Sequence, residues 1–270
     1  MSRFSMWTIL SSCCTDSADD STMSTFVIVH GAWGGGWEWS DVAGRLRDRG
    51  HIVCTPTLTG LGERSHLCLD QRVGLSTHVE DVVATVEFER LEGVVLCGAS
   101  YGGMPVTVAA DRLGDRVRSI IYVDALVPLS GQCALDLLPP TFATAVRHGI
   151  EAHGAGWRVS IPDDLIDALV PPGSIAAATR RNYLARLRDH PAASLADPAT
   201  LAGVVDRMLR SFIRCTAPGV ERLGGDPIAP MATRAREQSW PFREIPTRHD
   251  PHVFEPKQLA ELLEELGAIS

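Results

Sequence analysis

The sequence predicts an α/β fold in which helices flank a mostly parallel central sheet. Short, continuous apolar runs, such as the Phe-Val-Ile-Val that follows Thr25, are typical of strands buried on both faces. Segments with helical periodicity lie between these runs, and this alternation predicts parallel strands joined by helices. With 270 residues, of which 45% are hydrophobic, the chain can bury one large core. We therefore expect one main domain over residues 24–270.

The first half of the domain shows the alternation most clearly. The strand after Thr25 leads into a glycine-rich loop from His30 to Trp37, and a helix and the strand His51 to Thr55 follow. Thr77 to Arg90 predicts an amphipathic helix, because its valines recur on one face. We interpret His78 in this helix as a surface histidine.

The stretch from Gly93 to Ala110 carries the strongest functional signal. It predicts a buried strand, a tight turn and a helix, and the turn reads Gly98-Ala99-Ser100-Tyr101-Gly102. GxSxG between a strand and a helix is typical of a nucleophilic serine held on a strained turn. The alternative is a glycine-rich turn with an incidental serine. We take Ser100 as the candidate nucleophile.

The second half of the chain interrupts the alternation. A predicted strand from Val117 to Val123 ends at Asp124, and a proline-containing segment over residues 127–206 follows. We interpret this segment as a helical cap inserted over the active edge of the sheet. The alternation resumes with a strand from Met208 to Cys215 and a last strand from Trp240 to Ile245.

An activated serine needs a histidine as its base. In proteins with this serine motif the chain order is serine, acid, histidine, and His249 and His252 lie in the loop after the last strand. His249 is the candidate because it follows the strand sooner, and His252 is the alternative. Their spacing matches no metal-ligand motif, so we expect no metal and no cofactor.

The acid that orients the histidine is less clearly marked. Asp226 follows the Met208 strand and precedes a predicted helix, which makes it the candidate. Glu221 and Asp124 compete with it. Asp124 ends the preceding strand, where it is also able to bond neighbouring backbone N–H groups.

The glycine-rich loop after the first strand predicts an oxyanion hole. It lacks the GxGxxG spacing of a dinucleotide site, and no acidic residue ends the next strand. The backbone N–H groups of Ala32 and Tyr101 are the candidate donors to a developing negative charge.

Composition limits the partners. The net charge is −8 and Lys257 is the only lysine, so no cationic stripe exists for nucleic acid. Seven cysteines without a CxxC pair favour the cytoplasm, and no apolar run is long enough for a membrane span. The polar composition of residues 1–23 predicts a disordered leader. The alternative is lipid attachment and export, because Leu10 to Cys13 is similar to a lipid-attachment box. The sequence leaves open whether the protein forms a homodimer.

These motifs resemble the α/β-hydrolase superfamily over residues 25 to 266. The run His30-Gly31-Ala32-Trp33, the GxSxG turn and Arg248-His249-Asp250 are similar to bacterial esterases related to plant methylesterases and hydroxynitrile lyases. The resemblance implies a triad of Ser100, Asp226 and His249 that hydrolyses carboxylic esters without a cofactor. The similar lyases carry threonine where Gly31 stands and lysine where Asp250 stands, which disfavours cyanohydrin cleavage.

We therefore predict a serine carboxylesterase for a small or medium apolar ester. An amidase, a lactonase or a carbon–carbon hydrolase on the same scaffold is the nearest alternative, because fold does not separate these reactions. A small-molecule binding protein with little turnover is the alternative from a different class.

Overall fold

The structure is a computed structural model that describes residues 23–68, 72–219 and 224–269. Of the predicted leader, only Met23 lies within these ranges. Glu221, one of the competing acids, lies outside them.

The described part of the chain contains one large parallel sheet and one small antiparallel pair. In chain order the strands are β1 (Thr25–Val29), β2 (Ile52–Cys54), β3 (Val94–Ala99), β4 (Val117–Val123), β5 (Arg158–Val159), β6 (His190–Pro191), β7 (Leu209–Cys215) and β8 (Phe242–Ile245). The large sheet has the order β2-β1-β3-β4-β7-β8, and all its neighbours are parallel. The predicted α/β class with a parallel sheet is confirmed.

Eleven α-helices connect or cover these strands in the described ranges. They are α1 (Ser40–Arg47), α2 (Leu75–Phe88), α3 (Gly103–Leu113), α4 (Ala134–Leu137), α5 (Pro140–Ala152), α6 (Asp163–Leu169), α7 (Ala177–Leu184), α8 (Ala192–Ala196), α9 (Ala229–Glu237), α10 (Pro251–Phe254) and α11 (Pro256–Gly267). Short 3₁₀ turns occupy Gly36–Trp39, Gly62–Leu67, Ser100–Gly102, Gly114–Arg116 and Val205–Arg207.

Two apolar layers cover the large sheet, one on each face. Helices α2, α3 and α9 pack with Leu96 on one face, whereas α1 and α11 pack with Val95 on the other. Because successive side chains of a strand point to opposite faces, a strand covered on both sides needs apolar residues at every position. This explains why β3 is an unbroken apolar run and is buried along its whole length.

The segment between β4 and β7 departs from the βα alternation. It holds α4 to α8 and the β5–β6 pair, and it coincides with the region predicted to form a cap. Parallel strands end at the same edge of the sheet, so the loops after β1, β3, β4 and β8 meet there. The inserted segment contributes side chains to the cavity at this edge.

Candidate active site

The candidate nucleophile stands on a sharp turn between β3 and α3. Ser100 has a φ of 51°, in the left-handed region that a serine rarely adopts. The turn is close to the end of β1, since a Cβ on Gly102 would lie 2.5 Å from the carbonyl oxygen of Val29. A Cβ on Gly98 would lie 2.8 Å from the carbonyl oxygen of Gly102. Only glycine fits at both positions, which explains the motif predicted from the sequence.

Three side chains at the edge of the sheet form a hydrogen-bonded chain. His249 Nε2 lies 2.8 Å from Ser100 Oγ, and His249 Nδ1 lies 2.6 Å from Asp124 Oδ2. The structure thus brings Ser100 and His249 together, as the sequence predicts. The carboxylate on the far side of the imidazole is Asp124.

The surroundings of His249 shift its pKa upwards. Burial alone would lower the pKa, but the hydrogen bond and the negative charge of Asp124 outweigh burial. The same bond fixes the ring so that Nε2 faces the serine. An imidazole held in this way is suited to take a proton from Ser100.

Asp124 is held firmly at the end of β4. Its Oδ1 accepts hydrogen bonds from the backbone N–H of Cys215 at 3.1 Å and from Arg214 Nη1 at 2.7 Å. Its own backbone N–H donates to the carbonyl of Ile213 at 2.8 Å, and its φ is 44°. These contacts leave Oδ2 directed at His249.

Asp226 does not occupy the position predicted for it. One of its oxygens bonds Arg214 Nη2, and the other accepts the backbone N–H groups of Ile228 at 2.9 Å and Ala229 at 3.1 Å. Both oxygens are therefore committed to Arg214 and to the start of α9. Among the described contacts Asp226 makes none with His249, so the prediction that Asp226 orients the histidine is corrected to Asp124. Arg214 links the two carboxylates.

The alternative base, His252, does not contact Ser100 in the described contacts. Its ring stacks on Trp39, with the centroids 4.9 Å apart. It lines the same cavity as His249.

The cavity beside Ser100 is mainly apolar. Its described lining includes Leu126 after β4 and, from the inserted segment, Phe142, Val146, Leu165, Ile166, Leu169 and Leu187. Ala32 and Tyr101, the predicted oxyanion donors, also line it. A Cβ on Gly31 would lie 3.7 Å from Ser100 Oγ, so the loop after β1 passes directly beside the serine.

A buried group of histidines supports the floor of the site. His78 Nδ1 lies 2.8 Å from the hydroxyl of Tyr101, whose ring centroid is 4.6 Å from that of His190. The interpretation of His78 as a surface residue is wrong, because its side chain is fully buried. Burial lowers the pKa of His78 and of His30 to about 4. The hydrophobic pattern of α2 missed this, since it counts histidine as polar.

The described ranges contain no group of three or more histidine, cysteine or acidic side chains placed to hold a metal ion. In the same ranges no helix combines the length and apolar character that a bilayer span requires.

Comparison with known proteins gives a family match over most of the chain. The model of the alpha/beta hydrolase family matches residues 26–262. A carbendazim hydrolyzing esterase from a Nocardioides species is 36% identical over 259 residues, which cover 91% of this chain and 100% of the relative. Methylesterase 10 of Arabidopsis thaliana is 34% identical over 104 residues, 38% of each chain.

A solved structure shows the same architecture. It is described as an extracellular alpha/beta-hydrolase from a Paenibacillus species that shares structural and functional homology with tobacco salicylic acid binding protein 2. It superposes with a TM-score of 0.77 at 25% identity, covering 90% of this chain and 99% of the other.

Proposed function

The chain belongs to the α/β-hydrolase family, and we propose that it is a serine carboxylesterase in which Ser100, His249 and Asp124 form the catalytic triad. The observation that carries this proposal is the continuous hydrogen-bonded chain from Ser100 Oγ through His249 to Asp124. Nucleophile, base and orienting acid are the three roles that acyl transfer by a serine requires.

The first half of the reaction acylates the serine. His249 Nε2 takes the hydroxyl proton as Ser100 Oγ attacks the ester carbon, and a tetrahedral intermediate forms. Asp124 stabilises the imidazolium cation through Nδ1. The proton then passes from Nε2 to the leaving alkoxide, the C–O bond breaks, and an alcohol departs.

The second half releases the acid. Water loses a proton to His249 and attacks the acyl-serine, and the second tetrahedral intermediate collapses with return of the proton to Ser100 Oγ. The products are one alcohol and one carboxylic acid, and no cofactor takes part.

Ala32 and Tyr101 are the proposed oxyanion donors. Tyr101 follows the nucleophile at the start of the turn into α3, and Ala32 belongs to the loop beside Ser100. Each backbone N–H stabilises the oxyanion in the transition state by about 3 kcal/mol in such sites.

The apolar lining supports a small or medium apolar ester as substrate. The Nocardioides relative adds carbendazim to the compounds worth testing.

The cytoplasm remains the proposed location, supported by the thiols of Cys54, Cys97, Cys133 and Cys215. A homodimer remains a proposal for sedimentation analysis.

A series of p-nitrophenyl esters of increasing acyl length tests the proposal. We expect turnover with an optimum chain length, and a loss of at least about a thousandfold in Ser100→Ala. Equal rates for the two proteins would refute the serine mechanism. Folded wild-type protein without turnover on any ester would favour a binding protein instead.

A further inference from the structure

The loop after β1 is bound to the inserted segment at Trp33, the residue after Ala32. The backbone N–H of Trp33 donates to His190 Nδ1 at 3.4 Å, and its carbonyl accepts the backbone N–H of Arg188 at 2.9 Å. The indole Nε1–H donates to the carbonyl of Val159 at 3.0 Å. Val159 and His190 are partners in the β5–β6 pair. This pair therefore holds both the backbone and the side chain of Trp33.

Trp33 has a backbone conformation that requires such support. Its φ is 64°, in the left-handed region that a bulky side chain rarely adopts. A residue stays in this region when its surroundings over-determine the conformation. Ala32 links the peptide whose N–H is the proposed oxyanion donor to the peptide whose N–H is held by His190. The two peptides share the Ala32 Cα, so the orientation of the second constrains that of the first.

The first of these peptides is held by the sheet part of the chain. His30 Nε2 accepts the backbone N–H of Leu58 at 3.0 Å, so Nδ1 carries the proton and donates to the carbonyl of Gly31 at 2.8 Å. This carbonyl and the Ala32 N–H belong to one planar peptide. Support for the Ala32 N–H therefore comes from the sheet through His30 and from the inserted segment through His190.

His190 also packs against Tyr101, the residue that carries the other proposed oxyanion donor. The two rings meet edge to face, with their centroids 4.6 Å apart and an interplanar angle of 78°. The Tyr101 hydroxyl donates to the carbonyl of Ser194 in α8, which begins two residues after His190. The His190 side chain is fully buried. One side chain of the inserted segment thus contacts both Trp33 and Tyr101.

The hydrogen bonds of the His190 ring assign its proton to Nε2. Ser194 Oγ donates to the carbonyl of Pro191 at 2.8 Å, so the same oxygen accepts from His190 Nε2, which is 2.8 Å away. Nδ1 then has a free lone pair for the Trp33 N–H. Burial holds the pKa of His190 well below 6.5, so the ring is neutral at neutral pH. Its one donor and its one acceptor are both used.

We propose that His190 is a positioning residue for the oxyanion hole, since it holds the loop that carries Ala32 and packs against Tyr101. His190 is not among the described residues that line the cavity beside Ser100, so it acts through these two neighbours. A misplacement of about 1 Å near reacting groups costs about a hundredfold in rate. The role rests on the proposed esterase function, and it gives the inserted segment a part in the chemistry besides lining the cavity.

Two substitutions at His190 separate its acceptor from its bulk. His190→Leu removes the acceptor for the Trp33 N–H, whereas His190→Asn keeps an amide oxygen near the position of Nδ1. We expect kcat on a p-nitrophenyl ester to fall at least about tenfold in His190→Leu, with KM within about threefold of wild type. His190→Asn should recover most of this loss. His153→Leu, at an exposed position after α5, is the control and should keep wild-type kinetics.

A pair of inhibitors reports on the oxyanion hole itself. Ser100 Oγ adds to the carbonyl carbon of an aryl trifluoromethyl ketone, its proton passes to His249, and the carbonyl oxygen becomes an oxyanion. The matching trifluoromethyl alcohol forms no such adduct. We expect His190→Leu to weaken the ketone by about tenfold or more and the alcohol by less than about twofold. Because Ki does not depend on the fraction of folded protein, a variant that folds poorly still gives this comparison.

The wild-type protein tests the contact with Trp33 directly. NMR spectra of the histidine ring nitrogens in isotopically labelled protein show which nitrogen carries the proton, and the signal that disappears in His190→Asn identifies His190. A proton on Nε2 supports the proposal. A proton on Nδ1 would overturn it, because Nδ1 would then be unable to accept the Trp33 N–H.

The kinetic outcomes distinguish the positioning role from the esterase function. With active wild-type protein, three results would overturn the role and leave the esterase function standing. They are a kcat loss in His190→Leu below about tenfold, equal weakening of the ketone and the alcohol, and a His190→Asn no more active than His190→Leu. Folded wild-type protein that neither hydrolyses esters nor binds the ketone would refute the esterase function, together with the role that rests on it.

Discussion

Asp124 reaches His249 from the end of β4, the strand next to β3, with 2.6 Å between Asp124 Oδ2 and His249 Nδ1. Arg214 holds the other oxygen of Asp124 and bonds Asp226 as well. Asp226 therefore lies behind the proposed triad, separated from it by the side chain of Arg214. The two carboxylates differ in role because only Asp124 contacts the imidazole.

Asparagine at the two positions separates these roles. We expect Asp124→Asn to lower kcat by about 10³- to 10⁴-fold, because an amide no longer holds the correct tautomer or stabilises the imidazolium. Asp226→Asn keeps the acceptor oxygen at the start of α9, and we expect a loss of less than about tenfold. Kinetics on one p-nitrophenyl ester measures both. The reverse order of losses would restore Asp226 as the acid.

The raised pKa of His249 predicts an acidic limb in the pH profile. The base works only when neutral, so kcat/KM rises with pH through a pKa above the ordinary 6.5. Asp124→Asn removes the negative charge that raises this pKa, and the midpoint of the limb should move to lower pH. Profiles of both proteins between pH 5 and 9 test the shift. A midpoint that stays in place would show that Asp124 does not set the pKa.

Alanine at two glycines should change stability in opposite directions. Gly102→Ala places a Cβ 2.5 Å from the carbonyl oxygen of Val29, so we expect the free energy of unfolding to fall by about 1–3 kcal/mol. Gly44→Ala in α1 meets no described heavy atom within 4 Å, and we expect a gain of about 0.5–1 kcal/mol. Urea unfolding of both variants measures the two changes. An unchanged free energy of unfolding in Gly102→Ala would contradict the close approach at the turn.

Three buried histidines predict loss of stability in acid. Burial lowers the pKa of His30 and His78 to about 4 and that of His190 well below 6.5. Between pH 6.5 and 4 the unfolded chain therefore binds more protons at these residues than the folded chain does. The free energy of unfolding should fall as pH decreases, by up to about 1.4 kcal/mol per pH unit for each histidine.

One substitution checks this assignment. His78→Gln removes one of the three histidines, so the slope of unfolding free energy against pH should flatten between pH 4 and 6.5. His66→Gln, at an exposed position, serves as the control and should leave the slope unchanged. An unaltered slope in His78→Gln would show that the acid sensitivity arises elsewhere.

The sequence predicts the parts of the site that depend on local pattern. The elbow at Ser100 is encoded by neighbours in the chain, since Gly98 and Gly102 are required by the turn itself. His249 follows from its place after the last strand. Both predictions use short-range information only.

The sequence pattern alone does not identify the carboxylate that contacts His249. Asp124 and Asp226 both follow strands, and their separation from His249 depends on the packing of β4, β7 and β8. Arg214, which forms an ion pair with Asp226, belongs to no recognisable sequence motif. Helical periodicity also does not reveal the burial of His78, because the partners of its two ring nitrogens, the Tyr101 hydroxyl and the carbonyl of Thr59, lie outside its helix.

Covalent labelling tests the central claim most directly. A fluorophosphonate reacts with an activated serine, and mass spectrometry of the digested protein locates the adduct. We predict one adduct on the peptide that contains Ser100, none in Ser100→Ala, and much slower labelling in Asp124→Asn. Folded wild-type protein that stays unlabelled, or an adduct that persists in Ser100→Ala, would contradict a nucleophilic Ser100.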